Sequence, residues 1–348
     1  MEIRDLFLLC IEKGASDLHI TEDEPPVLRL DGRLARTDLE VLSKYELKKM
    51  IYSVLTNTQK EIFEKDMELD FSLALLDMDR FRVNVHLQKG SVEAAFRRVP
   101  LKIPIIQELG LPPVVAELTR RSNGLILVTG PTGTGKTTTL AAMVDLINIE
   151  RDGLIICIED PIEFVHKNKK SIIKQREVYS DTHTFAAALR HALRQDPNVI
   201  VVGEMRDLDT ISTALTAAET GHLVLATLHT PDAPQTIERI IDVFPPHQQQ
   251  QIKLQLADCL QGVISQLLLP HASGKGRVLV CETMIATPGI RNLIREQHIE
   301  QIPTFMQTGF QYGMKTMDKS LKDAVRQNLI TLDAALVKVK NPEEFKQL

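Results

Sequence analysis

One segment, Gly130-Pro131-Thr132-Gly133-Thr134-Gly135-Lys136-Thr137, restricts the fold of this chain more than any other. It satisfies G-x-x-x-x-G-K-[ST] and has the flanks that pattern requires, an apolar run at 125–128 before it and a helical pattern at 138–149 after it. Glycine at the fixed positions lets backbone N–H groups turn inward around an anion, where side chains would block the approach. Lys136 supplies an ammonium for the β- and γ-phosphates, the helix adds the positive end of its dipole, and the Thr137 hydroxyl can ligate Mg²⁺. The candidate nucleotide-binding set is Gly130, Pro131, Thr132, Gly133, Thr134, Gly135, Lys136, Thr137 and Thr138.

A strand–loop–helix of this kind belongs in a parallel sheet wrapped by helices, and the flanking sequence agrees. Short apolar runs at 154–158, 199–202 and 223–228 alternate with helical segments. Beyond Gly276 the chain reads as mainly helical, at 288–295, 299–308, 316–328 and 331–339. The N-terminal part has a different texture. Strands are expected at 27–30, after which Asp31-Gly32 turns the chain, and at 70–75, 81–87 and 92–99, with helices at 3–13, 46–55 and 59–65. Phe81, Val83, Val85 and Leu87 alternate with Arg82, Asn84 and His86, as a half-buried strand requires. The expected organisation is a small α+β domain over 1–98, a linker over 99–113 carrying Pro100, Pro104, Pro112 and Pro113, and an α/β P-loop domain over 114–348 with a helical C-terminal part.

Composition removes several function classes. With 41 Lys and Arg against 46 Asp and Glu in 348 residues, the net charge of −5 offers no bulk attraction to a phosphate backbone. Lys167, Lys169, Lys170, Lys174 and Arg176 form a basic cluster without interleaved aromatics, so a solvated hairpin is expected there and no nucleic-acid partner. No run approaches the length needed to cross a bilayer, and the first apolar stretch reads as the buried face of a helix. Cys10, Cys157, Cys259 and Cys281 stand far apart among apolar neighbours, which predicts buried thiols in a cytoplasmic protein and no structural metal.

Binding a nucleotide is not hydrolysing it; hydrolysis needs groups that place water and metal. Ile158-Glu159-Asp160-Pro161-Ile162-Glu163 puts three carboxylates at the end of the second core strand, where an open parallel sheet binds ligands, although an acidic turn would read the same. The run at 199–202 leads into Gly203-Glu204, the place of a metal-coordinating carboxylate, or of a helix-start residue before Asp207. His222 and His229 bracket the run at 223–228 and are either γ-phosphate sensors or structural histidines. Arg82 and Arg97 lie on N-terminal strands, where a sheet arginine is ordinarily just solvated.

In combination these segments resemble the secretion-type ATPase superfamily. The likeness runs end to end, from Gly14-Ala15-Ser16-Asp17-Leu18-His19 through the Walker A segment and the Asp box Glu159 to Glu163. It continues in the Walker B segment Gly203-Glu204-Met205-Arg206-Asp207 and the His box Thr220 to His229. The resemblance implies a PAS-like N-terminal domain before a RecA-like ATPase domain, with ATP and Mg²⁺ as ligands. Glu163 and Glu204 become an acidic pair, one polarising water and the other holding Mg²⁺ through water, with Glu204 preferred at the metal. His222 or His229, the latter preferred, would read the γ-phosphate. Arg82 and Arg97 would be arginine fingers reaching nucleotide in the same or a neighbouring subunit. The family's working form is a ring, usually a homo-hexamer, whose two domains swivel about the linker as nucleotide changes. Gly289-Ile290-Arg291-Asn292-Leu293-Ile294-Arg295-Glu296 is similar to the AIRNLIRE motif of the pilus-retraction branch, with Gly289 in place of Ala, and the four cysteines do not form the tetracysteine zinc insert common in extension motors. That branch implies retraction of type IV pili, twitching motility and contact with an inner-membrane platform protein. An accessory paralogue of the same machinery, or a RecA-like nucleic-acid translocase, would share many of these segments; charge and the scarcity of aromatics count against the translocase.

Overall fold

The computed structural model describes residues 2–30, 32–74, 80–99, 102–339 and 342–345. It divides into two compact units, Met1–Lys102 and Ile103–Leu348. The expected residues Asp31, Leu75 and Pro100 lie outside the described residues.

The first unit runs α1 (Ile3–Glu12), β1 (Asp17–Ile20), β2 (Val27–Leu30), β3 (Arg33–Arg36), α2 (Lys44–Tyr52), α3 (Asn57–Asp66), β4 (Glu68–Ala74), β5 (Arg80–Gln88) and β6 (Ser91–Val99). Its strands form an antiparallel sheet in the order β3-β2-β1-β6-β5-β4. Phe81, Val83 and Val85 of β5 are buried as the alternation predicts, while Leu87 runs past the core and is exposed. Leu6, Phe7 and Cys10 on one face of α1 close that core, with the Phe7 ring 4.5 Å from Phe81 and 5.0 Å from Phe96. Ser43 and Thr56 start α2 and α3 with reciprocal capping boxes to Glu46 and Gln59.

The second unit runs α4 (Pro113–Thr119), β7 (Gly124–Thr129), α5 (Lys136–Glu150), β8 (Leu154–Glu159), β9 (Ile172–Glu177), α6 (Phe185–Ala192), β10 (Val199–Val202), α7 (Leu208–Glu219), β11 (Leu223–Leu228), α8 (Ala233–Asp242), α9 (Pro246–Cys259), β12 (Leu260–Pro270) and β13 (Arg277–Ile285). It ends in α10 (Pro288–Arg295), α11 (Ile302–Thr308), α12 (Met317–Arg326), α13 (Leu332–Leu336) and α14 (Pro342–Phe345). The sheet order is β13-β12-β7-β11-β10-β8-β9, parallel throughout except for the antiparallel β12–β13 edge. Every residue of β7, β10 and β11 is buried, which is what helices on both faces of a parallel sheet produce.

Three expectations need correction. Residues 277–285, at the start of a stretch expected to be mainly helical, form strand β13, whose mixed Arg, Glu and Thr content hides the period. The basic segment is no hairpin: β9 lies parallel on β8 at the sheet edge, where lysines also discourage pairing with another chain. Ile106 and Leu111, expected in a linker, are buried in the core of the second unit. Glu282 is buried, and its carboxylate accepts from Ala233 N (2.9 Å) and Met317 N (3.3 Å), the first residues of α8 and α12.

Candidate functional site

The phosphate loop leaves β7 at Thr129 and enters α5 at Lys136. Gly130 sits at φ +139°, and a Cβ there would lie 2.5 Å from the Gln266 carbonyl oxygen and 2.8 Å from Thr134 Oγ1. Any larger residue would push the loop off β12. Helices α6, α7 and α8 have their first N–H groups met by Thr184, Asp207 and Asp232 side chains. Helix α5 starts from Gly135 with no side-chain cap, so its N-terminal donors face the loop and favour an anion. Lys136 is only 8% exposed, and its ammonium donates to the Gly130 and Pro131 carbonyls at 2.8 and 3.0 Å. Burial lowers its pKa below the usual lysine value, against the opposing charges of Glu204 and Glu163.

Strands β7, β8, β10 and β11 are parallel, so their carboxyl ends open on one edge of the sheet. Glu204 follows β10 there. Arg206 grips it with Nη2 to Oε2 and Nε to Oε1, both 2.6 Å, and His229, just past β11, places Nε2 3.0 Å from Oε1. Burial would raise the Glu204 pKa, but the Arg206 hydrogen bond and the charges of His229 and Arg206 outweigh it and hold the carboxyl below its ordinary range. His229 Nδ1 lies 3.4 Å from Thr132 Oγ1, so one imidazole spans the phosphate loop and the carboxylate. Glu163 is exposed in the loop after β8, within range for its charge to act on Lys136. Beneath the loop, buried Gln266 Nε2 donates to Thr139 Oγ1 (2.7 Å) and Thr129 Oγ1 to Ser265 Oγ (2.9 Å), tying β12 to β7 and α5. Thr137 and Thr138 lie half-buried in the first turn of α5. The Thr137 hydroxyl and an ionised Glu204 are hard oxygen donors, the chemistry that suits Mg²⁺.

The structure brings Lys136, Glu163, Glu204 and His229 together but corrects the other histidine. His222 precedes β11, and its carbonyl accepts from Gly124 N at the start of β7. That is the opposite edge of the sheet, roughly 16 Å from the loop for five residues of strand. There His222 Nδ1 sits 3.0 Å from Ala217 O and finishes α7. Arg82 and Arg97 belong to the first unit, exposed and directly opposite each other across β5 and β6. Like charges so placed repel. Arg97 is held by buried Asp17, Nε to Oδ1 at 2.9 Å; burial works to raise that carboxyl, but the bonds from Arg97 and Ser16 keep it below the usual aspartate range. Sequence reasoning assigned no role to Asp17 or Arg206. Arg206 lay in plain view two residues from Glu204, whereas Asp17 is 80 residues from Arg97 and only strand pairing joins them.

A parallel sheet with an uncapped helix behind a glycine-lined anion loop defines a P-loop nucleotide-binding unit. The chain belongs to the type II/IV secretion system protein family, whose model matches residues 3–336. It is 47% identical over 345 residues to the type IV pilus retractation ATPase PilT of Pseudomonas aeruginosa, covering 99% of this chain and 100% of that one. It is 48% identical over 320 residues to a twitching motility protein of Neisseria gonorrhoeae, covering 92% and 86%. A crystal structure of the pilus retraction motor PilT with bound ADP matches over 100% of both chains with a TM-score of 0.94 and 48% identity. The second unit is thus the RecA-like ATPase unit of a secretion-type ATPase, and the first is its smaller α+β companion.

Proposed function

We propose that this chain is an ATP-hydrolysing motor that retracts type IV pili and so drives twitching motility, working as a homo-hexameric ring on the cytoplasmic side of the inner membrane against a platform protein. What carries the reading is a phosphate loop with all its chemical parts in a chain alike over its full length to a retraction ATPase. Among the described residues no helix is long and apolar enough to cross a membrane, so attachment there falls to a partner.

In this reading the loop amides and the α5 N-terminus bind the phosphates, and Lys136 exchanges its carbonyl partners for phosphate oxygens as charge grows in the transition state. Mg²⁺, held by Thr137 and through water by Glu204, would supply further neutralisation of the β- and γ-phosphate charge. Glu163 orients and polarises the attacking water. His229, set between Thr132 and Glu204, reports whether a γ-phosphate is present. Arg82 and Arg97 complete the charge stabilisation from the α+β unit. The test is Lys136→Ala, which is expected to abolish phosphate release while circular dichroism and the unfolding midpoint stay near wild type. Turnover at the wild-type rate would remove the assignment of this loop.

A further inference from the structure

Strand β9 was not anticipated from the sequence, yet its side chains reach the loop that presents Glu163. Gln175 Nε2 donates to Glu159 Oε1 (2.9 Å) and to the Phe164 carbonyl (2.7 Å), and Gln175 Oε1 accepts from His166 N (2.9 Å). Two residues on, Glu177, only 6% exposed, accepts from Ile162 N at 3.1 Å and from Ser180 Oγ at 3.3 Å. The backbone is therefore tied to β9 on both sides of Glu163, through the N–H of the residue before it and the carbonyl of the residue after it. The Ile162 and Phe164 side chains are buried, whereas Glu163 points outward. Register explains the reach: Glu177 stands opposite Glu159 and Gln175 opposite Cys157, so alternate residues of β9 arrive over the end of β8.

We propose that Gln175 and Glu177 are positioning residues for Glu163, fixing the short loop that carries its carboxylate beside the phosphate site. The inference rests on the catalytic reading of Glu163 given above. A carboxylate that orients water must be held to within a fraction of an ångström, and its own flexible side chain cannot do that from a loose loop.

The test uses the full-length assembled protein, with kcat and KM for ATP measured separately and binding followed with a fluorescent ADP analogue. Gln175→Ala and Glu177→Ala are expected to lower kcat about tenfold, with KM and ADP affinity within about twofold of wild type. Glu177→Gln keeps an oxygen for Ile162 N–H and is expected to retain most of the turnover. Should Gln175→Ala unfold, Gln175→Met preserves length without hydrogen bonds and carries the same test. In a Glu163→Gln background, adding Gln175→Ala is expected to change kcat by less than about twofold, because the group it serves is already disabled. Full additivity there, or a loss confined to KM, overturns the positioning role. Full activity of both alanine variants beside an inactive Glu163→Gln also overturns it and leaves the reading of Glu163 intact. Wild-type turnover by Glu163→Gln removes that reading and the inference with it.

Discussion

A buried ammonium is costly unless its protons are accepted, and Lys136 meets that need with two carbonyls of its own loop. The loop is thereby shaped before any phosphate arrives. Much of this was legible in the sequence, because the spacing of glycine, lysine and threonine allows few other conformations. The histidines were not: strand direction decides which end of β11 meets the nucleotide, and only the parallel pairing with β7 separates His229 from His222. His166 was never a candidate. It lines a small cavity under α5 with Thr137, Glu159 and Phe164, and its Nδ1 is buried without a protein partner. Burial lowers its pKa from 6.5 to about 4, so the folded imidazole refuses a proton that the unfolded chain accepts. Stability is then expected to fall as pH drops from 6.5 to about 4. Urea titrations across that window should show a shallower pH slope for His166→Phe than for wild type. Parallel slopes would mean that the site is solvated.

Elements were read best where one apolar period dominated. The runs behind β10 and β11 are continuous, and α10 keeps Ile290, Leu293 and Ile294 on one buried stripe. Strand β12 escaped because it follows α9 without a Gly or Pro break, the chain passing from helix to extended backbone at Leu260. The octet on α10 also has a local meaning that periodicity misses. Arg291 donates to the Ala286 carbonyl at 2.9 Å, to the Asp258 carbonyl at 2.7 Å and to the Ala257 carbonyl, closing the end of α9. The departure at Gly289 has a neighbour too, since a Cβ there would lie 2.8 Å from the Phe305 ring. Lysine has no fork with which to replace a guanidinium that serves three carbonyls. Arg291→Lys is expected to destabilise the protein by at least about 1.5 kcal/mol in urea denaturation. A loss below about 0.5 kcal/mol would show this cap to be dispensable.

At the scale of the whole molecule, the change from an alternating to a continuous apolar pattern announced an antiparallel sheet followed by a parallel one, and the structure contains both. The proposed role of Arg82 and Arg97 assigns them to nucleotide held in their own chain or in a neighbouring one, and quaternary contacts leave no period in a chain. A mixing experiment separates the two. Lys136→Ala subunits carry intact arginines but no working loop; Arg82→Ala/Arg97→Ala subunits carry the reverse. If the arginines serve a neighbouring subunit in a ring, an equal mixture regains about a quarter of wild-type turnover, since one junction in four pairs two intact halves. If they serve their own subunit, the mixture stays as inactive as its components.

Glu282 has a consequence at the same scale. One buried carboxylate anchors the first turn of the helix that follows His229 and the first turn of a helix near the chain's C-terminal end. Parting the two would break at least one of these buried hydrogen bonds. A displacement of the segment after His229 would thus be felt at the start of α12, so a single side chain on β13 joins the edge of the phosphate site to the last helices of the chain.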